Sequence, residues 1–156
     1  MSRLLGIDLG ERRIGLAIAE PGLEPARPLS TLSRASDAAQ DVVHLATVIR
    51  DQRITELVVG LPINADGSEG PMAIAARTWA AAIEGELGLP VHLRDERLSS
   101  HLAEDRLGPM PRGRSGGAPT RTQRDRYRAQ VDRAAAAIIL QDELDARASS
   151  RAGGDA

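Results

Sequence analysis

Residues 4–20, LLGIDLGERRIGLAIAE, set two apolar runs, 3–9 and 13–19, on either side of the polar break GERR. Runs of this length, rich in Leu and Ile and separated by a Gly-led polar turn, predict two antiparallel strands joined as a hairpin. One residue does not fit that pattern. Asp8 stands between Ile7 and Leu9 in the first run. Burying an unpaired carboxylate costs several kcal/mol unless it is paired or bound to a metal. Any fold this chain adopts must therefore bring Asp8 a partner or a cation.

The rest of the chain alternates helical and strand patterns. A short strand is expected near 27–32. Val42, Leu45, Ala46 and Ile49 then fall on one helical face, with Ser36 or Asp37 available as the cap. ELVVGL at 56–61 reads as a strand buried on both faces. Pro71 suits the first turn of a helix on which Met72, Ala76, Trp79, Ile83 and Leu87 share a face, ended by Gly88. A strand at 90–94 and a short helix over ERLSSHLAEDRL follow. Residues 108–120 form a Pro/Gly/Ser-rich loop, expected to be mobile. Thr122 with Asp125 is expected to act as a capping box for a last helix through VDRAAAAIILQDELDA. The expectation is one α/β domain over 1–148, a mixed central sheet flanked by helices, with a disordered tail at 149–156.

Composition narrows the chemistry. There is no Cys in 156 residues, so disulfides and thiolate metal sites are excluded. No apolar run reaches the ~18 residues of a membrane span, and no targeting segment precedes the first strand, so a soluble, cytoplasmic protein is expected. Phe is absent and Trp and Tyr occur once each, so the core must be aliphatic. The net charge of -2 hides an asymmetry: every basic residue is Arg, and from Arg106 to Arg133 eight Arg face only Asp125 and Asp132. That surplus of positive charge suits contact with nucleic acid, or equally a solvated loop.

Four stretches need a joint explanation: GIDLGERRIGLA, VVGLPINADGSEGP, RDERLSS and QVDRAAAAIILQDEL. Together, from about Arg3 to Leu144, they closely resemble the YqgF (RuvX-like) family of Holliday junction resolvases, also described as nucleases that process the precursor of small-subunit ribosomal RNA. The resemblance implies a ribonuclease H-like fold carrying a carboxylate cluster that binds divalent metal. Matched residue by residue, the family's acids fall on Asp8, Glu96 and Asp132 as catalytic metal ligands. Asp95 is a neighbour that points the opposite way if the strand continues through it. The segment before the last helix departs from the family pattern, being longer, richer in Gly and Pro, and without Lys.

The residue chemistry is consistent with this assignment. Three gathered carboxylates repel one another, and a bound dication reverses that cost. Oxygen ligands without Cys or a spaced His pair select Mg²⁺ or Mn²⁺. Two such ions roughly 3.5–4 Å apart, assembled with substrate, can activate water and stabilise the leaving oxygen of a phosphodiester. Taken singly, each acid has a plain alternative: Asp8 bonded to turn amides, Glu96 favoured by a helix N-terminus, Asp132 exposed on an Ala-rich helix.

Candidate substrate-binding residues are Arg12 and Arg13 on the hairpin turn, Asn64 and Ser68 in the loop after the fourth strand, Arg97 beside Glu96, and Arg112, Arg114, Arg121 and Arg128 in the basic segment. The Asn64–Ser68 loop reads equally as a turn. His44 is expected to face solvent, and neither His92 nor His101 is assigned a role as base. The expected activity is metal-dependent endonuclease hydrolysis of structured RNA or branched DNA, by a monomer or homodimer. Two alternatives stand beside it: a nucleic-acid-binding module without catalysis, and an actin-like ATP- or phosphate-binding module. The second normally needs a duplicated fold much longer than this chain.

Overall fold

The computed structural model describes residues 2–22, 25–96 and 99–154, with the side chains of Ser100 and Arg114 outside that description. The hairpin forms as expected: β1 (Leu4–Leu9) pairs antiparallel with β2 (Arg13–Ala19), placing Asp8 opposite Gly15. Strand β3 (Arg27–Ser33) adds antiparallel to β2, while β4 (Glu56–Leu61) and β5 (Val91–Asp95) add parallel on the other side of β1. The result is a mixed five-stranded sheet in the order β3-β2-β1-β4-β5, with α1 (Ala38–Gln52), α2 (Pro71–Leu87), α3 (Ser99–Leu107) and α4 (Arg121–Gly154) around it.

Strand alternation sorts side chains onto two faces. Leu5, Ile7, Leu57 and Val59 pack with Leu45 of α1 and with Trp79, Ala80 and Ile83 of α2. Leu4, Ala17 and Val58 pack beneath Ala136, Ile139 and Leu140 of α4. Asp8 has the parity of Leu4 and therefore belongs to the α4 face.

That face is unusually shallow because glycine occupies its centre. A Cβ on Gly6 would sit 2.8 Å from the Ala136 carbonyl oxygen and 2.8 Å from Leu140 Cβ. A Cβ on Gly15 would collide with the Asp132 carbonyl and lie 2.8 Å from Arg133 N. Helix α4 thus rests with its backbone almost directly on β1 and β2.

Several sequence expectations are corrected. On α2 the expected face is buried through Ala76, Trp79 and Ile83, with Leu87 packed on the same core, but Ala73 and Ala80 join it and Met72 is 54% exposed. On α1, Asp37 is the cap, accepting from Gln40 N at 2.9 Å; Ala46 is exposed, whereas Asp41 is fully buried. The capping box of α4 is Thr120 with Gln123, each donating a backbone N–H to the other's side chain at 3.1 and 2.8 Å, rather than Thr122 with Asp125. The segment from Ser149 continues α4 to Gly154 instead of lacking structure. The basic loop contains a short 3₁₀ turn, Arg114–Gly116, and is fastened to α4 by Gln123 Nε2 donating to Arg112 O and Tyr127 OH donating to Gly108 O.

The glycine contacts make a stability prediction. Gly15→Ala overpacks against helix backbone, which cannot swing aside, and should cost about 3 kcal/mol, lowering the melting temperature by roughly 6–12 °C. Gly85→Ala is the control: Gly85 lies in α2 with nothing near its Cβ position. That change should be neutral or stabilising by about 0.5–1 kcal/mol. Thermal melts of the two variants beside the parent protein check both signs.

Candidate active site

Asp8 lies near the end of β1 and is only 8% exposed. Glu96 follows β5, where its backbone N–H donates to Leu61 O at 3.1 Å, fastening it to the end of β4. Its carboxylate lies over Gly60, whose Cβ would come within 2.9 Å of Glu96 Cδ and 3.0 Å of Oε2. Gly60 thus leaves the space the Glu96 side chain fills. Ser99, buried at the start of α3, donates from Oγ to Glu96 Oε2 at 3.0 Å and fixes its direction.

Asp8 and Glu96 are hydrogen-bonded to one another. Burial first, then the negative charges of Glu96 and Asp132, raises the Asp8 carboxyl well above its ordinary value. Burial also raises Glu96, although hydrogen bonds from Ser99 and Asp8 oppose the shift.

The third acid approaches from the other side. Asp132, on α4, accepts a hydrogen bond from Arg13 Nε at 2.7 Å, closing an ion pair between residues 119 positions apart. Asp8, Glu96 and Asp132 line one hollow of about 260 Å³, sharing it with Leu9, Gly10 and Met72. Among the described residues, no three carboxylate or imidazole groups form a ready-made cage for an ion. The three acids converge on one hollow, with Asp132 paired to Arg13.

The remaining sequence candidates divide clearly. Arg12, Arg13 and Arg128 line a second hollow of about 320 Å³ that reaches Asp132, and Arg128 is 3.6 Å from Glu104. Asp95 ends β5 exposed, while Glu96, just past the strand, turns inward. Asn64 and Ser68 bond within their own turn, Asn64 Nδ2 donating to Ser68 Oγ at 3.0 Å and Ser68 N to Asp66 Oδ1 at 2.9 Å; neither lines the acid hollow. Arg112 donates to Gly116 O at 3.2 Å, and the exposed Arg121 lies 3.9 Å from Asp125. Arg97 and the side chain of Arg114 lie outside the described residues. His44 and His101 are exposed, and His92 is 3.6 Å from Glu56.

Sequence reasoning did not single out Ser99, because an acid followed three residues later by Ser reverses the usual capping order. It also passed over Arg34, whose Nη1 donates to Gly10 O at 3.1 Å and whose Nε stands 3.7 Å from buried Asp41. Asp41 further accepts from Ala35 N at 2.8 Å and Trp79 Nε1 at 3.1 Å. These bonds tie the hairpin turn beside the acids to α1 and α2.

The raised carboxyls fix the sign of a pH effect. Between the ordinary values of 3.8 and 4.5 and their higher folded values, Asp8 and Glu96 bind more protons in the folded than in the unfolded chain. Stability therefore falls as pH rises through that window, and the penalty is fully present above it. Asp8→Asn replaces a carboxyl that folding forces to bind a proton with a neutral amide, and keeps a donor toward Glu96. It should melt above the parent at pH 7, and the gain should vanish below about pH 3, where both carboxyls are protonated in either state. Calorimetry of both proteins across pH measures this difference.

No helix among the described residues is long and apolar enough to cross a membrane. Comparison with solved structures returns Thermus thermophilus RuvC at a TM-score of 0.51 and 19% identity, covering 94% of this chain and 96% of that one. The same protein in complex with a Holliday junction substrate matches at 0.52 and 16% identity over the same shares. These matches establish a ribonuclease H-like fold. A relative from Anaeromyxobacter dehalogenans, named "Putative pre-16S rRNA nuclease", is 50% identical over 146 residues, 94% of this chain and 98% of its own length. One of the same name from Chloroflexus aurantiacus is 36% identical over 147 residues, covering 94% and 89%. The family model described as RuvX, Holliday junction resolvase, matches residues 2–146, and the chain belongs to that family.

Proposed function

We propose that the protein is a divalent-metal-dependent endonuclease that hydrolyses phosphodiester bonds in structured nucleic acid. The substrates suggested by its relatives are a precursor of 16S ribosomal RNA and a four-way DNA junction. The observation that carries this reading is the buried Asp8–Glu96 pair facing Asp132 across one hollow. A binding module gains nothing from acids that repel a polyanion and store unfavourable charge.

The donor set suits a hard cation. Asp8 and Glu96 offer carboxylate oxygens held by β1, Gly60 and Ser99, and Asp132 completes the set on release from Arg13. When bound there, Mg²⁺ or Mn²⁺ supplies an activated water and neutralises charge developing on the phosphate. The chain's own residues do the rest. Ser99 orients Glu96, Arg13 positions Asp132, and Arg12 and Arg128 line the neighbouring hollow in which a phosphate can be held.

The test is incubation of the purified protein with labelled junction DNA and labelled precursor RNA, with and without each metal. Asp8→Asn, Glu96→Gln and Asp132→Asn should each remove most cleavage; every tenfold loss of rate corresponds to about 1.36 kcal/mol of barrier. Near-normal turnover by Asp8→Asn would overturn the assignment. Millimolar Mg²⁺ or Mn²⁺ should also raise the melting temperature of the parent more than that of Asp8→Asn.

The basic loop generates a separate expectation. Each Arg that neutralises a phosphate contributes about 0.9 to the slope of log affinity against log salt on duplex arms. The triple change of Arg112, Arg114 and Arg121 to Gln should weaken binding and flatten that slope, with a similar loss across sequences. Anisotropy titrations at several salt concentrations in metal-free buffer measure it; parental affinity and slope would make the loop a bystander.

A further inference from the structure

A second depression of about 200 Å³ adjoins the acid hollow, and Leu9, Gly10 and Met72 are common to both. Its other walls include Pro71 and Ala75 from the first turns of α2, with Arg34 and the exposed Glu11 as its polar members. Met72 forms the partition. It is 54% exposed although Ala73 beside it is completely buried, so its thioether is presented to solvent at the edge of the site.

The chemistry of these walls selects the occupant. Leu9, Pro71, Met72 and Ala75 give flat apolar contact, and a thioether is polarizable and favours the edge or face of an aromatic ring. A phosphate is poorly served there, because Glu11 is acidic and Arg34 already stands beside Asp41. Arg34 is held in place by its bond to Gly10 O, while its backbone N–H donates to Arg12 O at 2.8 Å. A guanidinium carries five N–H donors, more than these side-chain contacts engage, so one edge of a planar acceptor group can be met. An uncharged ring with acceptors on its rim fits both features. Because the depression shares the walls Leu9, Gly10 and Met72 with the acid hollow, its occupant belongs to a nucleotide next to the phosphate at the acids.

We propose that this depression is a nucleobase slot, in which a base next to the scissile phosphate leaves its stack and lies against Met72 with its edge toward Arg34. The slot rests on the nuclease reading above and adds a specificity to it: nucleotides that are unpaired or easily extruded, at a junction centre or in an RNA loop, are preferred over those within a regular duplex.

The chain has three Met, at positions 1, 72 and 110, so methyl-labelled methionine gives a sparse NMR spectrum in which Met72→Leu assigns the relevant signal. The full-length protein, in metal-free buffer to prevent cleavage, is titrated with a short single strand and with an abasic phosphodiester strand of the same length. Binding of each is followed independently by anisotropy. The Met72 methyl should move upfield under a stacked base with the first strand and stay in place with the second, while Met110 is unaffected. Met72→Ala should weaken binding of the base-bearing strand by about two- to tenfold, the range of a thioether–aromatic contact, and leave the abasic strand unchanged. Equal shifts with both strands, or binding with no Met72 shift, would overturn the slot and leave the nuclease reading standing. A protein that binds neither strand and cleaves neither junction nor precursor RNA would remove both.

Discussion

The close seating of α4 on the sheet is the constraint from which the rest follows. Helices and sheets normally meet through side chains, but here Gly6 and Gly15 bring the backbone around Asp132 and Ala136 directly onto β1 and β2. Only such an approach lets a short Asp on a helix share a hollow with a short Asp on the central strand. Gly60 works in the same way for Glu96, so the acids are gathered by missing side chains as much as by present ones. Dispersion and apolar burial along Ala17, Val58, Ile139 and Leu140 hold the arrangement against the repulsion it creates.

That repulsion explains the surroundings of the acids. Asp8 and Glu96 share a proton, Ser99 donates to Glu96, and Arg13 pairs with Asp132. Each partner is a local remedy for charge held out of water, and together they leave a site that is tolerable but not optimal for folding. Proteins commonly accept such a cost where chemistry requires it.

Much of this was legible in the order of residues. The hairpin and the parallel strands announced themselves through dense Leu, Ile and Val bounded by Gly and Pro, because helices cover both faces of the central strands and leave nearly every position buried. Asp8 was conspicuous as a charge inside such a run. The face of α2 was legible through Ala76, Trp79 and Ile83, but the exposure of Met72 was not, since its apolar side chain falls at the end of that face and looked like core. The start of α4 was ambiguous for a related reason: Thr120 and Thr122 each have a side-chain acceptor three residues on, and only backbone geometry decides between them. Asp41 resembled an ordinary first-turn acid, because its partners Trp79 and Ala35 come together only after folding. The Arg13–Asp132 pair spans nearly the whole chain and leaves no local trace.

The arrangement around Asp41 also has an optical meaning. Trp79 is the only indole in the chain, it is 4% exposed, and its N–H is bonded to a buried carboxylate. Indole emission from this protein, selectively excited at the red edge where Tyr127 does not absorb, therefore originates at a single dry location between α1 and α2, across the sheet from the acids. Its colour reports on the seam between those helices. The bonds from Trp79 to Asp41, and from Arg34 beside it to the Gly10 turn, give that indole one polar link to the rim of the acid hollow, in addition to its apolar packing on β1.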